Sequence, residues 1–412
     1  MLFQSPYGDY EVCKTWILEI VILQHYQLPS GICELQSLHS LRCSKRPESM
    51  YFSPNYRMDC LMETLRLPLL CTHLVDHEES AHLVAELHMG ISSRWFKTEG
   101  VRIPRGIGNL KELQILELVD IKQTGKKAIK ELGQLIQLRK LSMVGKGRFA
   151  EQKRKILYLC AAIEKLSSLC SLSVDAGSGS LEWLHNVSSP PPLLNKLKLV
   201  GEFGGKMPEW VGSLKHLVKI HLEWSRIKED QITEMLGKLP KLMLLNLCIF
   251  AYYGKKLVFR EEAFVNLRKL CLTGQFELTE VRFEKGASPK MEMIEFNSCQ
   301  LKSGIIGINH LPVLKQISLG NYGKVANLGM LQAEVDVHPN HPGLKLFGDC
   351  SEHDLGNVVQ GSDDAEAEEE PSLFPEPAAV GESSSLATNL SQDHDIGDDD
   401  FLSCISDDEY AS

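Results

Sequence analysis

The sequence predicts an α/β solenoid, in which a curved parallel β-sheet gains one short strand per repeat and helical or irregular return segments close the core. Three observations predict this fold. An apolar triplet recurs nine times, neighbouring triplets stand 23 to 31 residues apart, and the same proline-containing turn precedes several of them. A period of this length indicates stacked repeats and not separate globular domains.

The triplet has the spacing apolar-x-x-apolar-x-apolar, and its first residues are separated by 25, 31, 25, 23, 25, 25, 24 and 23 positions. Its last two apolar residues alternate with polar ones, as in a strand with one inward face. Because one unit cannot bury that face alone, neighbouring units must stack, and the pattern is typical of leucine-rich repeats. The nine copies are Leu113/Leu116/Leu118, Leu138/Leu141/Met143, Leu169/Leu172/Val174, Leu194/Leu197/Leu199, Leu217/Ile220/Leu222, Leu242/Leu245/Leu247, Leu267/Leu270/Leu272, Met291/Ile294/Phe296 and Leu314/Ile317/Leu319.

The return segments fit the same interpretation. Turns at Ile103–Ile107 and Met207–Val211 place proline at the same offset before the next triplet, where it ends an extended run. An earlier copy stands at Leu28–Ile32. The 31-residue interval carries apolar residues at helical spacing, which predicts a helix from about 152 to 167. Only Cys299 occupies the place where regular repeats carry Asn or Cys, so we expect an irregular internal ladder.

These patterns divide the chain into four parts: partial repeats over 1–45, a degraded repeat segment over 46–100, the solenoid over 101–345 and a tail over 346–412. No Lys or Arg follows Lys345, whereas 19 of the 54 acidic residues do, which leaves 35 acidic against 44 basic residues before that point. The tail is too acidic and too polar to offset the entropy of ordering, so we expect it to be disordered.

Side chains between and beside the strand leucines are expected on the concave face, the usual binding surface of a solenoid. Lysine recurs there, which either forms a basic stripe for an acidic protein surface or belongs to an ordinary solvated face. Trp224, Phe250, Tyr252 and Tyr253 follow their strands and are either aromatic anchors or core residues. The candidate protein-binding residues are Lys140, Ser142, Lys196, Lys198, Lys219, His221, Glu223, Asn246, Lys269, Glu295 and Asn297.

The sequence gives no reason to expect an enzyme, a cofactor or a metal. No convergent set of nucleophile, base and orienting group stands out. The string His77–His82 places its histidines five apart, whereas the zinc-protease motif needs four. Scattered cysteines and an acidic start without a signal peptide favour the cytoplasm, and we expect no membrane insertion. The acidic tail and the lack of interleaved aromatics argue against nucleic acid.

Val101–Gln114, Leu181–Leu184 and Ser303–Ile308 resemble the leucine-rich-repeat region of grass coiled-coil, nucleotide-binding disease resistance proteins. The resemblance covers roughly residues 10–350. It implies recognition of a pathogen effector, a host target or other receptor domains, and a part in the defence response. The chain lacks the Gly-x-x-x-x-Gly-Lys-Ser/Thr phosphate loop of that family. The alternative is therefore a stand-alone scaffold or decoy without signalling activity.

Overall fold

The computed structural model describes residues 17–21, 27–44, 100–145, 153–320, 324–325 and 328–346. All of them belong to the compact unit Met1–Gly356, and a second unit, Asn357–Ser412, lies outside the described residues. The predicted degraded segment, apart from Gly100, and the predicted acidic tail from residue 347 onward also lie outside the described residues.

Short strands dominate the described chain, as the repeat predicts. The strands are β1 (Ile17–Val21), β2 (Ser40–Ser44), β3 (Ile115–Asp120), β4 (Lys140–Val144), β5 (Ser171–Ser180), β6 (Lys196–Glu202), β7 (Lys219–Glu223), β8 (Leu244–Cys248), β9 (Lys256–Phe259), β10 (Lys269–Thr273), β11 (Glu280–Phe283), β12 (Met293–Asn297), β13 (Gln300–Leu301), β14 (Gly304–Ile306), β15 (Gln316–Leu319), β16 (Lys324–Val325) and β17 (Gly343–Leu346). The helices are α1 (Lys126–Leu132), α2 (Lys153–Lys165), α3 (Glu229–Gln231, continued by a π turn over Ile232–Leu236) and α4 (Leu328–Val337). Further 3₁₀ turns span Ser30–Glu34, Ile107–Asn109, Glu182–Asn186, Glu209–Ser213 and Ile308–His310.

Twelve of the described strands form one parallel sheet, the main sheet, in the order β1-β2-β3-β4-β5-β6-β7-β8-β10-β12-β15-β17. The middle leucine of each triplet lies opposite its counterpart in the next strand, as in the series Leu197, Ile220, Leu245 and Leu270. All four side chains are fully buried. The predicted α/β repeat fold is therefore confirmed, and the fully buried leucines form one continuous core.

The first triplet departs from the prediction at its third position. Leu118 has a left-handed φ of 58° and is only partly buried, and the next residue, Val119, is fully buried and lies opposite Met143. The pairing register shifts between Leu116 and Val119, which is a bulge of one extra residue. The Leu118 carbonyl accepts a hydrogen bond of 2.6 Å from the Val101 amide. The expectation that Leu118 completes the triplet is therefore wrong, because this neighbouring segment pairs with the strand end.

The return segments are of two kinds. The predicted helix is confirmed as α2, and it packs beside α1 on the return side of β3–β5. Farther along the chain, β9, β11 and β14 form a second parallel sheet that the sequence did not predict. Phe259 and Phe283 of this second sheet are fully buried and stack at 4.8 Å between ring centroids. The terminal strand β17 was not predicted either.

The internal ladder is irregular, as expected, but glutamine takes the asparagine role in one repeat. Gln275 is buried, and its amide nitrogen donates to the carbonyls of Leu247 (3.0 Å) and Thr273 (2.9 Å). Its carbonyl oxygen accepts from the Tyr252 amide at 3.0 Å. Cys299 reaches the equivalent carbonyl, that of Leu272, at 3.4 Å. Each side chain links its own repeat to the preceding one.

Candidate protein-binding face

The polar face of the main sheet is the side opposite the leucine core, and all eleven predicted residues lie on it. Strand alternation puts them there, because Leu197 and Leu199 face the core at full burial while the alternating residues Lys196 and Lys198 are half-buried. The register arranges them in rows across the strands. The first row holds Lys140, Lys196, Lys219 and Lys269, the second holds Ser142, Lys198, His221, Asn246 and Glu295, and the third holds Glu223 and Asn297.

Lysines toward either end of this face form ion pairs with acidic neighbours. The Lys140 ammonium contacts the Glu117 carboxylate, which also lies 3.7 Å from Arg42. The Lys269 ammonium lies 2.9 Å from the Glu295 carboxylate. These ion pairs interrupt the predicted basic stripe at Lys140 and Lys269. On β6 and β7, Lys196 lies directly opposite Lys219.

The centre of the face is a connected polar network. The Asn246 side-chain amide donates to His221 Nδ1 at 3.0 Å, and His221 Nε2 lies 3.6 Å from a Glu223 carboxylate oxygen. This geometry fits a ring that carries its proton on Nε2. The Cys248 thiol donates to the Asn246 carbonyl at 3.1 Å. Asn246 thus links β7 to the end of its own strand.

Two predicted residues are buried more deeply than a solvated face would allow. Lys219 is 4% exposed and His221 is 8% exposed. Both lie on β7, which is flanked by a strand on each side, with Lys219 in register with Lys196 and Leu244. These two side chains therefore support the face from within, while Lys196, Lys198, Ser142 and Asn297 remain half-buried and reach solvent.

The cysteines of this face are packing and donor groups. Burial raises the pKa of the Cys248 thiol to about 12, and burial together with the neighbouring Glu295 carboxylate raises the pKa of Cys271 well above its ordinary value. The Cys271 thiol accordingly donates to Glu295 at 3.3 Å. A protonated thiol is a poor nucleophile and a poor metal ligand. Among the residues that the structure describes, no group of three or more His, Cys, Asp or Glu could hold a metal ion.

An aromatic ridge, consisting of Trp224, Phe250 and Phe276, lies at the ends of β7, β8 and β10. The Trp224 and Phe250 ring centroids are 5.1 Å apart, and those of Phe250 and Phe276 are 5.4 Å apart. All three residues are half-buried. The sequence interpretation missed Phe276, although it stands close after a predicted strand as Trp224 and Phe250 do.

The sequence left open whether Tyr252 and Tyr253 are aromatic anchors or core residues, and the structure separates the two. Tyr252 is 5% exposed and its hydroxyl donates to the Lys256 carbonyl, so it belongs to the core. Burial raises the pKa of its hydroxyl well above the ordinary value. Tyr253 is 54% exposed. It lies outside the ridge.

Comparison with known proteins gives a family and several relatives. The protein family described as "Leucine-rich repeat region" matches residues 95–344 of this chain. Disease resistance protein RPM1 of Arabidopsis thaliana is 28% identical over 56% of this chain and 24% of its own length, and disease resistance protein PIK6-NP of Oryza sativa subsp. japonica is 26% identical over 52% and 22%. Probable disease resistance RPP8-like protein 4 of Arabidopsis thaliana is 24% identical over 76% of this chain and 34% of its own length.

The chain spans about a quarter to a third of the length of these relatives. Among the described residues, the helices are all too short or too polar to cross a membrane. The matched range covers β3 to β15 and the first two residues of β17, and this part of the main sheet carries the eleven candidate residues. The chain belongs to the leucine-rich-repeat family, and its repeat region is of the kind found in plant disease resistance proteins.

Proposed function

We propose that the chain is the protein-recognition module of a plant innate immune receptor, and that the polar face of its main sheet binds a pathogen effector or a host protein without catalysis. The observation that carries the proposal is a continuous parallel sheet whose solvent side bears varied polar residues while its core side repeats leucine. Repeat proteins of this construction bind partners along such a face. The relatives named as disease resistance proteins supply the defence context.

The polar network supports recognition and gives no support to catalysis. The Asn246 amide is hydrogen-bonded to His221 Nδ1, and the thiols beside it are protonated. Such a network fixes side-chain positions before a partner arrives, which lowers the ordering cost of binding. We place this recognition in the cytoplasm, where the free thiols of the six cysteines whose side chains the structure describes would stay reduced.

Site-specific photocrosslinking tests the proposal. The full chain carrying a benzophenone amino acid at Ser142, on the polar face, is expressed in leaves and irradiated after pathogen inoculation. The matched control carries the same group at Lys130, an exposed position on α1. We expect a crosslinked protein from position 142 that is absent from position 130. Equal crosslinking at both positions, or none at either, would contradict the proposal.

The alternative, a scaffold or decoy, makes the same binding prediction and differs in the response. Ion leakage from leaves that express the full chain together with the crosslinked partner separates the two. A partner-dependent rise in leakage supports a receptor function in defence. Binding without any rise favours the scaffold or decoy.

A further inference from the structure

The aromatic ridge is the least explained apolar feature of the described chain. Five phenylalanines elsewhere, namely Phe203, Phe259, Phe264, Phe283 and Phe296, are fully buried in the core. The ridge residues instead stay half-buried at the ends of three neighbouring strands of the sheet. Their rings contact one another in sequence, so the ridge is a continuous apolar surface that water still reaches.

Two of the ridge residues hold an unfavourable backbone conformation. Trp224 has a φ of 58° and Phe250 a φ of 52°, which is the left-handed region that bulky residues rarely adopt. In the next two repeats the same turn is made by the small residues Gly274 and Ser298, with φ values of 62° and 51°. Glycine would therefore satisfy the turn without strain. The presence of large aromatic side chains at such positions points to a function outside the fold.

Positive charge lies on the polar face, before the ridge along the strand direction. Lys196 and Lys198 are both on β6 and point to the polar face, about 6.6 Å apart along the strand. Lys219 lies opposite Lys196, and Trp224 comes five residues after Lys219. The ridge therefore begins about 16 Å along the strand direction from the level of Lys196.

Resting on the proposed function, we propose that Lys196, Lys198 and the aromatic ridge bind one extended acidic segment of a protein partner. Acidic residues at positions i and i+2 of an extended segment point to the same side and are about 6.6 Å apart, which matches the two lysines. An apolar side chain two to four residues beyond the second acidic residue reaches the ridge. Aromatic anchors in such half-buried sites carry much of the energy of protein interfaces.

Lysines beside aromatic rings also suit single-stranded nucleic acid, but two features favour a protein segment. The ridge rings are tilted to each other by 43° and 51° and are already in contact, which differs from the separate, parallel platforms on which successive bases stack. In addition, Glu223 lies between the lysines and the ridge along β7. A carboxylate there repels a phosphate backbone but leaves room for an acidic side chain at the lysine end.

A random twelve-residue peptide library displayed on phage, selected on the full chain, tests the proposal. The enriched peptides are synthesised and their affinities are measured by fluorescence polarisation against the wild type, Lys196→Glu and Trp224→Ala. The control variants are Lys215→Glu, an exposed lysine just before β7, and Tyr253→Ala, an exposed aromatic outside the ridge. Thermal unfolding followed by circular dichroism checks that each variant is folded.

We expect enriched peptides with two acidic residues at i and i+2 and an apolar residue two to four positions beyond. Lys196→Glu and Trp224→Ala should each weaken binding by about tenfold or more, while the control variants change it less than twofold. If Trp224→Ala does not fold, Phe276→Ala replaces it. Added salt should weaken wild-type binding and leave Lys196→Glu nearly unaffected.

Enrichment of a different pattern, or binding that the variants leave unchanged, overturns the proposal. Tighter binding of a twelve-nucleotide oligouridine that the same variants abolish also overturns it in favour of RNA. The proposed function fails independently, when photocrosslinking finds no partner on the polar face. A crosslinked partner that still binds Lys196→Glu and Trp224→Ala would leave recognition intact and refute only this docking mode.

Discussion

The repeats from β3 to β5 close with helices, whereas those from β8 to β15 close with strands, and the two kinds of return fill the core with different side chains. Between α1 and α2 the contacts use small residues, and a β-carbon placed on Gly133 would lie 3.1 Å from Ala162 Cα. The second sheet instead buries large rings, with Phe259 against Phe264 and Phe283. A helix is about 10 Å wide with its side chains and leaves little room, while a strand leaves space for a ring.

The strand register of the main sheet is the same in front of both kinds of return segment. Strands β4 to β6, in front of the helical returns, stay in step over their leucine positions, and so do β8, β10 and β12 in front of the second sheet. The polar face is therefore one surface, although the residues behind it differ. The return segments can therefore differ without changing the register of this face, and we expect their differences to appear in stability.

The largest expected difference comes from a core ring of the second sheet. Phe283→Ala should lower the free energy of unfolding by about 3–5 kcal/mol, since it leaves a cavity among fully buried rings. Urea unfolding followed by circular dichroism measures it. Phe276→Ala is the matched control, because the same atoms are removed from a half-buried position and the loss should be clearly smaller. Equal losses would mean that the second sheet is not part of the core.

The next effect is electrostatic and also belongs to the second sheet. Glu280 is 4% exposed, with Lys256 at 3.1 Å and Arg282 at 2.9 Å. Burial opposes its ionisation, but hydrogen bonds from Lys256 and Arg282 outweigh burial and hold the pKa of Glu280 below its ordinary value. Glu280→Gln should therefore lower the free energy of unfolding at neutral pH by about 1–3 kcal/mol.

The contribution of Glu280 to the free energy of unfolding should depend on pH in a definite direction. Because the folded pKa is depressed, the contribution of Glu280 is fully present above the unfolded pKa and is lost as pH falls through the folded pKa. The difference between wild type and Glu280→Gln should shrink toward acid pH in urea titrations. Glu234→Gln is the control, since its pair with Lys238 is exposed and should contribute less. A difference that is constant with pH would refute the assignment.

A matched pair of glycines tests the tight packing of the helical returns. Gly133→Ala should lower the free energy of unfolding by about 1–2 kcal/mol, because the new methyl group meets the backbone of α2. Gly125→Ala, at the N-cap of α1, meets nothing within 4 Å, so it should cost only the small preference for glycine over alanine at an N-cap, about 0.5 kcal/mol. If both variants behave alike in urea unfolding, the helices are not closely packed at Gly133.

The sequence could predict the strands that carry the leucine triplets and the polar face beside them, because strand alternation and the leucine period encode both. It could not predict the ion pairs of that face. Lys269 pairs with Glu295 through the register of β10 against β12, which the residues on one strand do not reveal. The bulge at Leu118 depends on hydrogen bonds from a distant segment, and the second sheet consists of strands of three or four residues, too short for a clear period. Whether the polar face binds a partner stays a prediction.

The smallest expected effect concerns a buried cation on the helical return α2. Lys155 is 6% exposed and its ammonium donates to the Lys122 carbonyl at 2.7 Å. Burial lowers its pKa, and the nearby Asp120 opposes that shift only in part. Lys155→Met keeps the apolar stem and should change the free energy of unfolding at neutral pH by no more than about 1 kcal/mol, because the freed carbonyl is on an exposed turn.

Its pH dependence distinguishes this lysine from an ordinary one. With the folded pKa below the unfolded pKa, the unfolded chain binds more protons between the two values, so wild-type stability rises with pH in that alkaline window. Relative to Lys155→Met, the wild type should therefore gain stability as pH is raised from 7 toward 10. Lys165→Met, an exposed lysine on the same helix, should show no such trend. The same trend in both variants would mean that the burial of Lys155 does not cause the rise in stability with pH. The helical returns would then have no counterpart to Glu280, the buried group of the second sheet whose charge state affects stability.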